Sequence, residues 1–480
     1  MRITLVVVAV AVLSGCGSKA KDPGPAECGS LPDFGLQLCQ PASLSQVQAE
    51  GIWNMQVRLD GFEPFADVFS LQSGNEQLFA NPLSDKDIGS DHFYLSTTFN
   101  RTDGRTVKWG FAGCTASSPA QVEGKVTACV NGQRSAVGTF TAKRIQRPAD
   151  EQEASGLTLV SEQKVAEGVA VDVTVSGNAA YVASLTGGVS VFDITDRSQP
   201  VVMTHLPADG GYWNDVAVNN NTLYVATAEQ GVLAFDVTNP AKPVRGNSLP
   251  LDLPNVHTVL LDGTRLYAMS PDPIGETIIF DAANPTLQEL GRFRASSTDP
   301  STNHFPHDAC VLDNRLYVNH WASGVVVADV TNPANPTQLV QIDSAHKTSH
   351  ACAVGHFGQN TYLYEGGEDW GASLRVFDVT NIQKPSGIVT QVDRRPEISI
   401  HNMQLVGNKL YVAWYQDGLR VFDVTSPTKP TQIEYFNTWR ESDPGRGSSF
   451  YDGTVGINVP GDGFIYVAEA SRGLMIFKEP

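Results

Sequence analysis

Histidine is the residue type with which this chain could do chemistry, because imidazole binds metal ions and transfers protons near neutral pH. The sequence has ten histidines, and seven of them fall between residues 304 and 401. The candidate site residues are His257, His307, Asp308, His350 and His401. Imidazoles and carboxylates that converge could ligate a divalent metal such as copper or zinc. The favoured alternative is that these side chains line a wet channel and satisfy one another there.

The candidates occur within a repeated hairpin pattern. An apolar run, a turn of Asn, Gly or Asp and then Leu-Tyr-Val or a close variant predict two antiparallel strands joined by a tight turn. The first strand of this pattern opens with one of six residues: Asp172, Asp215, His257, Asp308, His350 and His401. We therefore expect these six side chains at equivalent positions, with His307 beside Asp308.

A second repeated segment follows each hairpin. Residues 231–243 read GVLAFDVTNPAKP, and related segments give seven copies in all, the last of them truncated. The alternating apolar residues predict a strand, which the following Pro-containing turn ends. The repeated aspartate is expected to cap its own turn rather than hold a metal. These aspartates recur about every 43 to 49 residues, the length of a four-stranded propeller blade.

The ends of the repeat region predict how the ring closes. The chain stops at Pro480, after the third strand of the seventh copy, while residues 157–164 form an orphan strand ahead of the first copy. If that strand completes the seventh sheet, the ring closes without an exposed edge. The fold expected for residues 157–480 is therefore an all-β, seven-bladed propeller, and an open solenoid is the alternative. First strands line the channel of a propeller, so the candidate residues should meet at one mouth.

These segments resemble the LVIVD-repeat family of bacterial surface and secreted β-propellers. The resemblance covers residues 157–480 and implies the architecture rather than an activity. The chain departs from the pattern at Ala282, Ala283, Ala328 and Lys478, which affects single blades and leaves their number unchanged.

The N-terminus resembles a lipoprotein signal. Residues 1–15 form a short apolar leader that ends in Leu-Ser-Gly before Cys16. The resemblance implies lipidation of Cys16, cleavage before it and a membrane tether through residues 16–27, with the outer membrane favoured. An ordinary signal peptide with an incidental cysteine is the alternative.

The remaining six cysteines can all pair, as expected for an exported protein. Cys28 with Cys39 and Cys114 with Cys129 is the simplest local scheme. Cys310 and Cys352 each lie two residues after a candidate first-strand position, so we expect them to link blades four and five. Two free thiols or a metal pair are the alternatives.

The segment before the repeats is a separate domain. Residues 28–146 contain six to eight short alternating stretches, which predict a small antiparallel barrel or sandwich. Residues 147–156, rich in charge and proline, are expected to be a linker.

Composition excludes one class of partner. The 33 basic and 51 acidic side chains give a net charge of −18, without a basic run for nucleic acid. The sequence favours a non-enzymatic, lipid-anchored binding or scaffold protein with a protein or glycan partner. A metal-dependent periplasmic enzyme with a histidine-lined channel is the second hypothesis. A glycan-binding module is the third, and it would use Trp213, Trp321, Trp370, Trp414 and Trp439.

Overall fold

The computed structural model describes residues 27–36, 39–249, 252–283, 286–345, 347–444 and 446–480. The described chain divides into two compact units. Residues up to Gln146, with Gly447–Phe450, form the first unit, and the rest of the chain from Arg147 forms the second. Cys16 and the leader lie outside the described residues, so the lipid-anchor prediction stays a prediction. Within the described residues, no helix has both the length and the apolar character needed to cross a membrane.

The first unit is one curled antiparallel sheet of nine strands, a half-barrel, where the sequence predicted six to eight strands. The strand order is β4-β3-β2-β1-β9-β8-β7-β6-β5. Two 3-10 helices, Leu31–Asp33 and Pro41–Gln46, precede the sheet. Its strands are β1 (Ile52–Leu59), β2 (Phe65–Gln72), β3 (Asn75–Leu78), β4 (Asn81–Pro82), β5 (Asp85–Ile88), β6 (Phe93–Asn100), β7 (Thr106–Ser118), β8 (Gln121–Val130) and β9 (Gln133–Arg144).

Aromatic side chains contribute much of the core of the first unit. Trp53 stacks on Phe69 with ring centroids 5.6 Å apart, and Phe79 packs edge-on against Trp109 at 5.1 Å. These rings belong to one buried cluster to which most of the strands contribute. Because the core is built from aromatic rings that interdigitate, the unit has its own source of stability, independent of the repeats.

The second unit is a propeller of seven antiparallel sheets, as the repeats predict. Two strands precede the first blade: β10 (Ala154–Ser155) and β11 (Thr158–Gln163). Blades one to three comprise β12 (Ala170–Ser176), β13 (Ala179–Ser184), β14 (Gly188–Asp193), β15 (Val201–Pro207), β16 (Trp213–Asn219), β17 (Thr222–Thr227), β18 (Gly231–Asp236), β19 (Val244–Leu249), β20 (Thr258–Asp262), β21 (Arg265–Ser270), β22 (Glu276–Asp281) and β23 (Gln288–Phe293). Blades four and five comprise β24 (Asp308–Leu312), β25 (Arg315–Asn319), β26 (Val325–Asp329), β27 (Thr337–Ile342), β28 (Ser349–Phe357), β29 (Asn360–Gly367), β30 (Leu374–Asp378) and β31 (Ile388–Val392). Blades six and seven comprise β32 (Met403–Val406), β33 (Lys409–Trp414), β34 (Gly418–Asp423), β35 (Thr431–Phe436), β36 (Thr454–Asn458), β37 (Phe464–Glu469) and β38 (Gly473–Lys478), and a 3-10 helix, Pro300–Thr302, lies between β23 and β24.

The repeated aspartate caps its own turn, as predicted. Asp236 accepts a hydrogen bond from the backbone N–H of Thr238 at 2.9 Å. The same bond, 2.8 to 2.9 Å long and two residues along the chain, recurs at Asp193, Asp281, Asp329, Asp378 and Asp423. Each aspartate therefore ends the third strand of its blade and starts the turn to the fourth.

The ring is closed by the strand that precedes blade one. β11 pairs antiparallel with β38, from Thr158 opposite Lys478 to Gln163 opposite Leu474, and supplies the missing strand of blade seven. One buried cluster joins blade seven to blade one. β10 adds a fifth strand to blade six, so part of the expected linker is built into that sheet.

The disulfides confirm one pairing prediction and contradict two. Cys310 bonds to Cys352 and joins blades four and five, as expected. In the first unit, however, Cys28 pairs with Cys129 and Cys39 with Cys114, so the local scheme is wrong. Cys129 of β8 lies opposite Lys108 of β7. Lys108 is six residues away from Cys114 along β7. Six residues of strand span roughly 20 Å, far beyond the reach of a disulfide.

Candidate functional site

The four candidate histidines form one row at a mouth of the propeller channel. This row differs from the one that the sequence suggested, because it contains His307 in place of Asp308. Asp172, Asp215 and Asp308 lie opposite Ala183, Ala226 and Asn319 of their second strands. His350 instead occupies a β-bulge, between Ser349 opposite Gly367 and Ala351 opposite Gly366. The backbone N–H groups of His257, His307 and His401 likewise donate to Met269, Asn319 and Ala413. The expectation that Asp308 is equivalent to His257, His350 and His401 is therefore wrong by one residue, and His307 is the equivalent residue.

The row brings the imidazoles into contact. Ring centroids are 4.2 Å apart for His257 and His307, 4.4 Å for His307 and His350, and 4.5 Å for His350 and His401. His350 joins this row from a β-bulge, whereas His257, His307 and His401 lie just before the first strands of their blades. The four blades thus deliver four rings to one arc of the mouth.

Backbone carbonyls fix the tautomers of two of these rings. Nδ1 of His350 donates to the carbonyl oxygen of His401 at 2.8 Å, and Nδ1 of His401 donates to that of Val455 at 3.0 Å. A carbonyl oxygen only accepts, so the proton of each neutral ring lies on Nδ1 and Nε2 carries a lone pair. Nε2 of His350 and Nδ1 of His307 are buried and make no hydrogen bond with the described residues.

Burial keeps the histidines neutral at physiological pH. It lowers the pKa of His257 to about 4 and that of His401 to about 3. Burial, with the neighbouring imidazoles adding to it, lowers the pKa of His307 and His350 well below the usual value. A neutral imidazole is the form that binds a metal ion.

A second tier of side chains lies over the row. Trp321, Glu368 and Tyr415 each follow by four residues the tyrosine of a Leu-Tyr pair, so they occupy the same place in blades four, five and six. Trp321 stacks on His307 at 4.7 Å, and Tyr415 packs edge-on against His401 at 5.3 Å. Trp321 and Tyr415 have φ values of 41° and 27°, in the left-handed region that non-glycine residues avoid. Such strain costs about 1–3 kcal/mol per residue and is concentrated at functional sites.

Glu368 is the acidic member of this tier. Its Oε2 lies 3.5 Å from Nε2 of His350, and its Oε1 accepts a hydrogen bond from the Tyr415 hydroxyl. Burial raises the pKa of Glu368 to about 8. The contact with His350 is not an ion pair, because that ring is neutral. His307, His350 and Glu368 each offer one ligand atom, and these three atoms lie within 4.8 Å of one another.

Asp308 belongs to a different row, one position further along the first strands. Its carboxylate accepts from the backbone N–H of Ala309 at 2.7 Å, and burial raises its pKa to about 8. Asp172 and Asp215 lie in the same row, and burial also raises their pKa values. Asp308 is not part of the group of three potential ligands, so of the predicted metal candidates the structure groups only His307 and His350.

Sequence reasoning missed the role of Glu368. It lies in the segment EGGEDWG, residues 365–371, whose composition favours a solvated acidic loop over a loop binding site, yet its exposed fraction is 3%. Glu365 in the same segment is fully buried in an ion pair with Arg375, at 2.6 Å. The sequence did offer one sign of this role. Glu368 occupies the position that an aromatic residue, Trp321 or Tyr415, occupies in blades four and six.

The tryptophans of the glycan hypothesis are mostly core residues. Trp213, Trp414 and Trp439 are buried, which prevents them from stacking on a sugar. Trp321 and Trp370 are half-buried. Phe305 stacks on Trp321 with centroids 5.7 Å apart, so one aromatic pair stands at the channel mouth.

The two faces of the propeller differ in their loops. On the face that carries the histidines, hereafter the histidine face, the connection from β23 to β24 spans 294–307 and that from β31 to β32 spans 393–402. The connection between Phe436 and Thr454 is longer still. The opposite face, hereafter the turn face, carries short hairpins such as 177–178 and the uniform aspartate turns. Variation is thus concentrated on the histidine face.

Comparison with known proteins supports the fold and leaves the activity open. Residues 167–206, 210–248, 307–343 and 400–438 match a family model described as "LVIVD repeat". These segments lie in blades one, two, four and six. No curated protein sequence is similar enough to this chain to count as a match.

Three solved structures are similar to about two thirds of this chain. The WD40 β-propeller domain of Doa1 matches with a TM-score of 0.50 and 13% identity, over 68% of this chain and 98% of that chain. The β-propeller domain of Cps50 (Swd1) from Myceliophteria thermophila gives 0.49 and 11%, over 66% and 99%. The computationally designed Ika8 protein gives 0.48 and 10%, over 67% and 99%. At these identities the likeness to Doa1 concerns the fold alone.

Proposed function

We propose that this chain is an exported lipoprotein, anchored through Cys16, that binds a partner protein on the histidine face of its propeller. The observation that carries the proposal is the difference between the two faces. Long, individual loops lie on the histidine face, whereas the turn face repeats the same aspartate turn in blades one to six with little variation. Binding residues of rigid scaffolds lie on variable loops, because these can change without loss of the core.

Two further features support the proposal. Three disulfides indicate a protein that folds in an oxidising compartment outside the cytoplasm. Phe305, Trp321 and Trp370 supply half-buried aromatic surface on the histidine face. Aromatic side chains of this kind are enriched among the residues that dominate protein–protein binding energy.

Site-specific photo-crosslinking in the native host tests the binding face. A photoreactive residue at Phe305 or Trp370 should capture one defined protein, whereas the same residue at Asn178 or Lys384 on the turn face should not. Capture of that protein from the turn-face positions alone would contradict the proposal.

Fractionation tests the anchor. The Cys16→Ser variant should move from the membrane fraction to the soluble periplasmic or secreted fraction and lose incorporation of labelled fatty acid. An unlabelled wild-type chain, or a variant that stays with the membrane, would refute lipidation at Cys16.

A further inference from the structure

The contact between His350 and Glu368 is too long to be a hydrogen bond. Nδ1 of His350 is committed as a donor to the His401 carbonyl, so Nε2 presents a lone pair to Oε2 of Glu368. The separation of 3.5 Å exceeds the 2.7–3.2 Å of an N–H···O bond, so a proton on either atom would not bridge them well. Two buried ligand atoms therefore face each other without a hydrogen bond between them.

The burial of these groups makes the arrangement costly without a third participant. The exposed fractions of His307, His350 and Glu368 are 7%, 1% and 3%. A buried polar group that lacks a partner costs about 1–3 kcal/mol. Polar residues that merely line a wet channel would be satisfied by one another, whereas one ring nitrogen of His307 and one of His350 make no hydrogen bond with the described residues.

The spacing of the donors fits a tetrahedral metal ion. Bonds of 2.0–2.1 Å to zinc place two ligand atoms about 3.3–3.4 Å apart. Nε2 of His350 and Oε2 of Glu368 are already 3.5 Å apart. The ligand atom of His307 lies within 4.8 Å of both, so a shift of about 1.4 Å or less completes the set.

We propose that His307, His350 and Glu368 bind a divalent transition-metal ion at the channel mouth, with Tyr415 as a positioning residue for the Glu368 carboxylate. Two imidazoles and one carboxylate are the protein ligands of many catalytic zinc sites, which keep the fourth position open. The hard ions Ca²⁺ and Mg²⁺ prefer oxygen ligands and are not expected here.

Tyr415 fixes the carboxylate from the side away from His350. Its hydroxyl donates to Oε1, which leaves Oε2 free to face the imidazole. Second-layer hydrogen bonds of this kind orient metal ligands, and their loss weakens metal affinity about 10–100-fold. The left-handed φ of 27° at Tyr415 is the local strain that accompanies this placement.

The metal site goes beyond the binding role proposed above and is independent of it. A chain without metal could still be anchored and still capture a partner, and the metal measurement below requires no partner. Failure of one proposal therefore leaves the other standing.

The test is a metal titration of the disulfide-bonded chain, exported with Cys16→Ser so that it stays soluble. After chelation and dialysis at pH 7, Zn²⁺, Cu²⁺, Co²⁺ and Fe²⁺ are added in separate arms, and the bound metal per chain is measured by mass spectrometry. We expect one Zn²⁺ per chain. The other arms establish which ion the site prefers.

Matched variants locate the site. His350→Gln and Glu368→Gln preserve side-chain size and should abolish stoichiometric binding. His356→Ala alters a half-exposed histidine of the same strand, β28, and should bind like the wild type. Tyr415→Phe should keep one metal per chain at about 10–100-fold lower affinity and shift the visible bands of the Co²⁺ form.

Three results would overturn the proposal. The first is a wild-type chain that takes up none of the four ions stoichiometrically. The second is full binding by both His350→Gln and Glu368→Gln. The third is equal loss in His356→Ala, which would indicate surface binding. If His350→Gln does not fold, as judged by its thermal transition, metal binding by Glu368→Gln alone decides whether the proposal holds.

Discussion

Removal of the disulfide between blades four and five should destabilise the propeller and leave the first unit unaffected. The Cys310–Cys352 bond closes a loop with a sequence separation of 42 residues and joins β24, which follows His307, to β28, which contains His350. The chain-entropy relation assigns such a loop about 4 kcal/mol of stability at 25 °C. The double variant Cys310→Ala/Cys352→Ala should lower the free energy of unfolding of the propeller by about that amount.

Scanning calorimetry of the oxidised chain provides the assay, with Cys39→Ala/Cys114→Ala as the matched control. The control removes a bond with a separation of 75 residues, worth about 4.5 kcal/mol by the same relation, and lies in the first unit. Each variant should shift a different thermal transition, because each unit has its own buried cluster. A shift of both transitions by one variant, or a cost below about 1 kcal/mol for the propeller, would refute the reasoning.

Three further predictions follow from the fold. Gly418→Ala should destabilise the propeller by about 2 kcal/mol or more in urea unfolding, because φ is 83° and a Cβ would lie 2.2 Å from the Phe436 carbonyl oxygen. Gly407→Ala, whose added Cβ would have open space around it, should lower the free energy of unfolding by about 1–2 kcal/mol. Equal destabilisation by the two variants would contradict the role of the contact with the Phe436 carbonyl oxygen. Burial raises the pKa of Asp67 to about 7, so the folded first unit holds a proton that the unfolded chain releases, and its stability should fall by about 3 kcal/mol between pH 4 and pH 7. Asp67→Asn should remove that slope in pH-dependent melts, and an unchanged slope would assign it to other groups. Deletion of residues 157–164 should abolish the cooperative unfolding transition of the propeller, because it exposes the edge of β38 that pairs with β11. An intact transition would mean that β11 is dispensable for closure of the ring.

Much of the architecture could be predicted because the residues that determine the turns and hairpins of each repeat lie close together in the sequence. The aspartate turn and the hairpin residues act over two to four positions, so the sequence alone indicates them. Closure by β11 could be predicted because an incomplete last copy and an orphan strand complement each other. The pairing of Cys28 with Cys129 could not be predicted. Cys28 lies in a segment that precedes the first strand, and the sequence pattern does not indicate where that segment packs on the sheet.

The site was predicted only in part because the histidines do not share the register of Asp308. His350 is an extra residue in its strand, and counting along the sequence placed it level with Asp308 instead of His307. A shift of one residue reverses the direction in which a strand side chain points. Glu368 was missed as a ligand because its burial depends on packing under the channel mouth, which the polar segment around it conceals.

Anomalous diffraction from crystals grown with Zn²⁺, recorded on both sides of the zinc absorption edge, tests the central claim most directly. The account predicts one strong peak at the channel mouth, about 2.0–2.2 Å from a ring nitrogen of His307, Nε2 of His350 and a carboxylate oxygen of Glu368. No peak there, with zinc only at exposed histidines such as His92 or His356, would contradict it.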